Sequence, residues 1–105
     1  MKLDNNTGAV IALDEAVKFT TSFQERNPNQ IKSHFVGGEK VKLILQQENC
    51  IGIRIYNGYD PDRNEANLVL VGVDKDGEDL TNGVLVERLA ACPSECPVKS
   101  KLIKR

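Results

Sequence analysis

Tryptophan is absent from this chain of 105 residues, and phenylalanine and tyrosine supply only three and two side chains. So few aromatics leave little for bases to stack on, which argues against a single-stranded nucleic-acid platform. An excess of positive charge is also missing: 14 basic side chains meet 15 acidic ones, a formal net charge of −1. A protein that binds by neutralising many phosphates needs the opposite balance. No stretch approaches the ~20 apolar residues required to cross a bilayer. The opening residues, Met1-Lys2-Leu3-Asp4-Asn5-Asn6-Thr7, carry no apolar run after the lysine, unlike a secretory signal. The expectation is a cytoplasmic protein with neither nucleic acid nor membrane as a partner. Histidine is scarce too, represented by His34 alone, and cysteine is limited to Cys50, Cys92 and Cys96.

What is present suffices for a core. Some 40% of the residues are hydrophobic and 28% charged, an ordinary globular balance. A chain this long buries roughly 60–70% of its unfolded surface, so metals and disulfides are optional supports. One domain over 1–105 is the simplest organisation. Residues 1–9 and about 99–105 are expected to be flexible, and Val10-Ile11 is a candidate for a short strand.

Leu13, Ala16, Val17, Thr20 and Phe23 recur at helical spacing, which predicts a helix from Leu13 to about Arg26. Asp14 and Glu15 suit its positive N-terminal end, and Asn27-Pro28 stops it. Ile31 to Val36, which carries His34, is a short linker or strand. Gly37-Gly38 breaks it, and a second helix is predicted from about Glu39 to Glu48, with Asn49 as the stop. Cys50 to Gly58 alternates strictly: Ile51, Ile53 and Ile55 face one way, Gly52, Arg54 and Tyr56 the other. Tyr59 to Ala66 reads as a polar loop. Leu68-Val69-Leu70-Val71-Gly72-Val73 is apolar on both faces, the pattern of a central strand. Asp74-Lys75-Asp76-Gly77 supplies a hairpin turn, and Val84 to Leu89 a third strand.

These elements, in the order helix, helix, strand, strand, strand, predict an α+β fold with two helices on one face of a three- to four-stranded antiparallel sheet. The central strand then poses a question. Helices on one face leave the other bare, and large bare apolar patches are rare on monomers. Val10-Ile11, the tail residues Val98, Leu102 and Ile103, or a second copy of the chain would have to cover it. A homodimer through this second face is one expectation, and an unknown protein partner another.

The run Gly52-Ile53-Arg54-Ile55-Tyr56, then Leu68 to Asp74, then Gly77 with Asp79, and finally Cys92-Pro93 with Cys96, resembles a family of small bacterial proteins of similar length. The likeness extends from the first helix to the tail. The family has no established activity, so the resemblance implies a small stand-alone bacterial protein and transfers no catalytic or binding residue.

Four residues define the sharpest chemical hypothesis. Cys50, Cys92, Cys96 and His34 make a three-thiolate, one-imidazole set, a known composition for a closed structural zinc site. Against it, the ligands lie in separate segments and only one close-spaced pair exists. Cys92 and Cys96 have three intervening residues and prolines after each, unlike a redox dithiol at a helix start. A disulfide between them is possible, but two separate thiols are the simpler expectation. A Cys–His hydrolase needs nucleophile, base and orienting group together, and no active-site signature surrounds these residues. Asp60-Pro61-Asp62-Arg63-Asn64 and Asp74 to Asp79 imitate calcium loops but lack the glycine and closing glutamate at the required positions. Arg54 and Tyr56, two residues apart on one strand face, are candidates for an interaction patch; the competing reading is an amphipathic pair covering the sheet. The sequence therefore predicts a small non-catalytic binding or interaction module without a cofactor. A zinc-stabilised domain is the alternative, and a thiol enzyme or redox protein comes third.

Overall fold

A computed structural model describes residues 2–104. The fold is α+β, with two helices and antiparallel sheets of two and three strands. In chain order the elements are α1 (Leu13–Arg26), β1 (Ser33–Phe35), α2 (Gly38–Leu45), β2 (Gly52–Asp60), β3 (Glu65–Val73), β4 (Leu85–Val86) and β5 (Ala90–Cys92). The chain divides into two compact units. The first combines residues 2–7 with 35–89, and the second combines 8–34 with 90–104. Among the described residues no helix is long and apolar enough to cross a membrane.

The first unit is built on the sheet β2-β3-β4. β2 and β3 pair antiparallel from Gly52↔Val73 to Asp60↔Glu65. The polar segment expected as a loop from Tyr59 to Ala66 is thus strand at both ends, and only residues 61–64 form the turn. Asp60 explains this: its Oδ1 accepts the backbone N–H groups of Asp62 and Arg63 at 3.0 and 3.3 Å. This closes a tight turn that ends at Asn64, whose φ is +56°. Asparagine tolerates that left-handed conformation better than most residues. A hydrogen bond from Tyr59 to Asn64 secures the turn. Beyond β3 the chain reverses as the Asp-Gly signal predicts. Gly77 N–H donates to the Asp74 carbonyl at 2.9 Å, with Gly77 at φ +83°. The returning segment pairs first as a bridge, Val73↔Asp79, and later as β4 opposite Leu70 and Val71.

α2 packs on β2 and β3. It is shorter than its sequence pattern suggested. The Gln47 side chain turns back to donate to the Ile44 carbonyl at 2.9 Å, and Asn49 adopts φ +66°. The helix stops at Leu45 with Gln46 as its C-cap, so the expected stop at Asn49 falls four residues late, inside the turn. Ile44 is fully buried, and Leu70, Val71 and Val73 complete the apolar core of this unit.

The second unit holds α1 and the two-stranded pairing of β1 with β5, of which Phe35 alone is assigned to the first unit. α1 has the predicted boundaries. Asn27 ends it, with its backbone N–H and side-chain amide both donating to the Phe23 carbonyl. Val10-Ile11 forms no strand. The C-terminal segment, expected to be loose, is held by Gln24. This side chain is only 6% exposed; its Nε2 donates to the Leu102 carbonyl at 3.0 Å and its Oε1 accepts the Lys104 N–H at 2.7 Å. The primary amide thus binds the tail as a neighbouring strand would. Gln24→Ala leaves both backbone groups without this partner, at a cost of about 1–3 kcal/mol. Amide exchange at Lys104, whose N–H is the one Gln24 accepts, should accelerate at least tenfold, while exchange in β3 stays unchanged.

Candidate functional site

Arg54 and Tyr56 project from the same face of β2 because side chains alternate along a strand. Their cross-strand neighbours are Val71 and Val69. The bridge Val73↔Asp79 adds a carboxylate from the returning segment. Val69, Val71 and Val73 share this face, so the two β2 side chains reach Asp79 across the middle strand. Arg54 Nη1 contacts Asp79 Oδ1 at 2.5 Å and the Gly77 carbonyl at 3.2 Å. The Tyr56 hydroxyl donates to Asp79 Oδ2. Both carboxylate oxygens are therefore engaged. Beneath this arch Val71 and Val73 are 2% and 5% exposed. The second sheet face that seemed to need a cover has a polar one from its own unit. Leu3 adds to it, with its Cδ1 3.7 Å from where a Cβ on Gly77 would stand.

The arch shifts the acidity of its members. Asp79 is held below its ordinary value, first by the Tyr56 hydrogen bond and then by Arg54. Tyr56 is pushed above its ordinary value, because losing its proton would forfeit the bond to Asp79. Arg54 is raised by the same carboxylate. The depressed Asp79 contributes stability above its unfolded value of about 4, and that contribution is lost as pH falls through the folded value. The raised Tyr56 contributes below about 10, and its share is lost as pH rises through the folded value. A urea midpoint measured against pH should therefore fall at both ends. Asp79→Asn should flatten the acid limb, and Tyr56→Phe the alkaline one. Unchanged limbs in both variants would show that the arch contributes nothing to the fold.

Along the start of β2 runs a groove of about 390 Å³, lined by Leu3, Asp4, Thr7, Ile53 and Arg54 among others. Further along the strand the side chains are open. Ile55 and Tyr59, on the face opposite Arg54, are each 59% exposed, and Tyr56 is exposed as well. In the sheet order β2-β3-β4, β2 lies at the edge, and no strand among the described residues pairs with its outer side.

The zinc set fares differently from the Arg54–Tyr56 patch. Cys92 and Cys96 are joined in a disulfide, where two separate thiols had been the simpler expectation. Cys50 is a free thiol whose Sγ donates to the Gly52 carbonyl at 3.3 Å. His34 has a buried Nε2 with no hydrogen-bond partner. Among the described residues no group of three or more His, Cys, Asp or Glu side chains is arranged to hold a metal ion. The two acidic segments that imitate calcium loops are turns whose leading aspartates, Asp60 and Asp74, accept nearby backbone N–H groups. Asp74 Oδ1, for instance, accepts the Asp76 and Glu78 N–H groups at 2.9 and 3.0 Å.

Sequence reasoning missed Asp79 as the partner of Arg54 and Tyr56. A signal existed. The Asp-Gly turn fixes the register of the returning chain and places Asp79 opposite Val73, on the same face as Arg54. It also missed Gln24 and Gln47, which on a helix pattern look like ordinary exposed polar residues. No family model, curated protein or solved structure matches this chain.

Proposed function

We propose that this chain is a small non-catalytic interaction module, and that the outer edge of β2 is the surface through which it acts. The observation that carries the reading is the outer edge of β2, which no strand among the described residues pairs, together with the exposed side chains of Ile55, Tyr56 and Tyr59. Exposed edges with apolar side chains are templates for strand addition, and proteins that have no use for one usually blunt it with charge, proline or a covering segment. The most polar cluster nearby supports a scaffold role over a reactive one. Asp79 has both oxygens committed to neighbours within the fold, which suits holding a strand straight.

A photo-reactive amino acid at Tyr59, with Lys18 on α1 as control, tests the reading in living cells. One discrete cross-linked product from position 59 and none from position 18 is the expected result. No product at 59, or equal products at both, would overturn it. The compartment is a separate matter. A cytoplasmic protein was expected, but the cytoplasm keeps thiols reduced, and the Cys92–Cys96 bond pulls the other way. Alkylation of intact cells before lysis reads which state the pair holds.

A further inference from the structure

Resting on the reading of β2 as a contact edge, we infer that its occupant is β2 of a second copy, paired antiparallel about a two-fold axis at Asn57. The sequence of the strand, Gly52-Ile53-Arg54-Ile55-Tyr56-Asn57-Gly58-Tyr59-Asp60, is self-complementary in this register and in no neighbouring one. In an antiparallel pair centred on residue 57, opposite residues have numbers that sum to twice that value. Arg54 then faces the partner's Asp60, Ile55 faces the partner's Tyr59, Tyr56 faces the partner's Gly58, and Asn57 faces itself. Each pairing but the central one occurs twice.

β2 contains one basic and one acidic side chain, Arg54 and Asp60. Centring the pair one residue earlier sets Arg54 against Gly58. Centring it one residue later sets Arg54 against Asp62, which lies in the turn outside the strand, and Ile55 against Pro61. Only the axis at Asn57 joins opposite charges within the strand while keeping apolar opposite apolar. Opposite-charge and aromatic–β-branched pairs are among the stabilising cross-strand neighbours. An axis normal to the sheet also keeps like faces together. The exposed Ile55 and Tyr59 of both copies merge into one apolar cluster on one face, and the ion pairs lie on the other.

The charged groups retain capacity for the second contact. Arg54 uses Nη1 for both of its bonds, to Asp79 and to Gly77, which leaves Nε and Nη2 to donate. Asp60 caps its own turn through Oδ1, which leaves Oδ2 to accept.

Sedimentation equilibrium of the whole chain should show a dimer that weakens as salt rises, because its rim pairs are exposed. The register has its own test in a Cys50→Ser background. Residues directly opposite in an antiparallel pair have Cα atoms about 4.5–5.5 Å apart, within disulfide range. Asn57→Cys should therefore cross-link between copies under mild oxidation at least tenfold faster than Tyr59→Cys, whose partner copy is displaced along the strand. Mixing Ile55→Cys protein with Tyr59→Cys protein should restore the cross-link. Asp60→Lys, which brings like charges together, should weaken the dimer at least tenfold.

Equal rates for Asn57→Cys and Tyr59→Cys would overturn the register. A strict monomer at high concentration whose Tyr59 photo-adduct has a mass other than twice the chain would overturn self-pairing and leave the contact edge standing. A monomer with no adduct at Tyr59 would overturn both.

Discussion

Ile44→Ala is expected to destabilise the first unit by about 2–5 kcal/mol, the range for deleting a large aliphatic side chain from a packed interior. Ile44 has no exposed surface and lies on α2, which packs on β2 and β3. Two effects oppose each other at this position. Alanine is the better helix former by some tenths of a kcal/mol, whereas the lost methyl and methylene groups and the cavity they leave cost several times more. Packing therefore decides the sign. A helix of eight residues has little stability of its own in water, so loss of its anchor should be felt along its whole length. Urea unfolding followed by far-ultraviolet circular dichroism measures the change. Ile44→Val, which removes one methylene, should cost only about 0.5–1.5 kcal/mol. A fall under ~1 kcal/mol for Ile44→Ala would mean that the sheet does not depend on α2.

Gly72→Val should cost about 3 kcal/mol, near the top of the ordinary range for overpacking. Gly72 occupies a central strand, where valine would normally be favoured by up to ~1 kcal/mol. Space forbids it. A Cβ on Gly72 would stand 2.9 Å from Cys50 Sγ, 2.9 Å from Gln47 Nε2 and 3.2 Å from Leu80 Cδ1. Gln47 cannot move freely, because its Oε1 accepts the Val84 N–H at 2.8 Å while its Nε2 donates to the Ile44 carbonyl at 2.9 Å. Displacing it strips the Val84 N–H of its partner and leaves the Ile44 carbonyl with the Gln47 backbone N–H at 3.3 Å in place of two donors, at about 1 kcal/mol for each lost bond. Shrinking the nearest wall should relieve part of the strain. Gly72→Ala combined with Cys50→Ala should be less destabilised than the sum of the single changes, a coupling that a double-mutant cycle reads directly. Strict additivity would place the conflict elsewhere.

The long elements were legible because periodicity reaches its full length in them. α1 presents apolar residues over several turns between an acidic start and Asn27-Pro28, and its ends fall where predicted. β2 and β3 declare themselves by alternation and by a doubly apolar run. β1 and β4 lie inside segments read as a linker or strand (Ile31 to Val36) and as a third strand (Val84 to Leu89), but these two and β5, of two or three residues each, are too short for a period to fix their ends, and their pairing depends on chain reversals that composition does not record. The division into two units leaves no compositional boundary either, because each unit draws on separate stretches of chain. At the candidate site Arg54 and Tyr56 were visible as a same-face pair, while the carboxylate that binds both was hidden in a segment that imitates a calcium loop. Gln24 and Gln47 escaped notice for a related reason. Hydrogen bonds to distant backbone have no sequence period, so a buried glutamine looks like an exposed one until the fold is known.

The interleaving of the two units bears on how the protein is made. β1 emerges from the ribosome long before β5, its partner, and Gln24 waits longer still for Leu102 and Lys104. The first unit, by contrast, has its last contributing residue at Leu89, so every one of its segments leaves the ribosome before β5 does. Domains generally fold as units during synthesis, and here the order is imposed by where the segments fall. The sheet carrying the β2 edge has all of its segments first, and α1 must spend that interval as a nascent helix whose final contacts have not yet emerged.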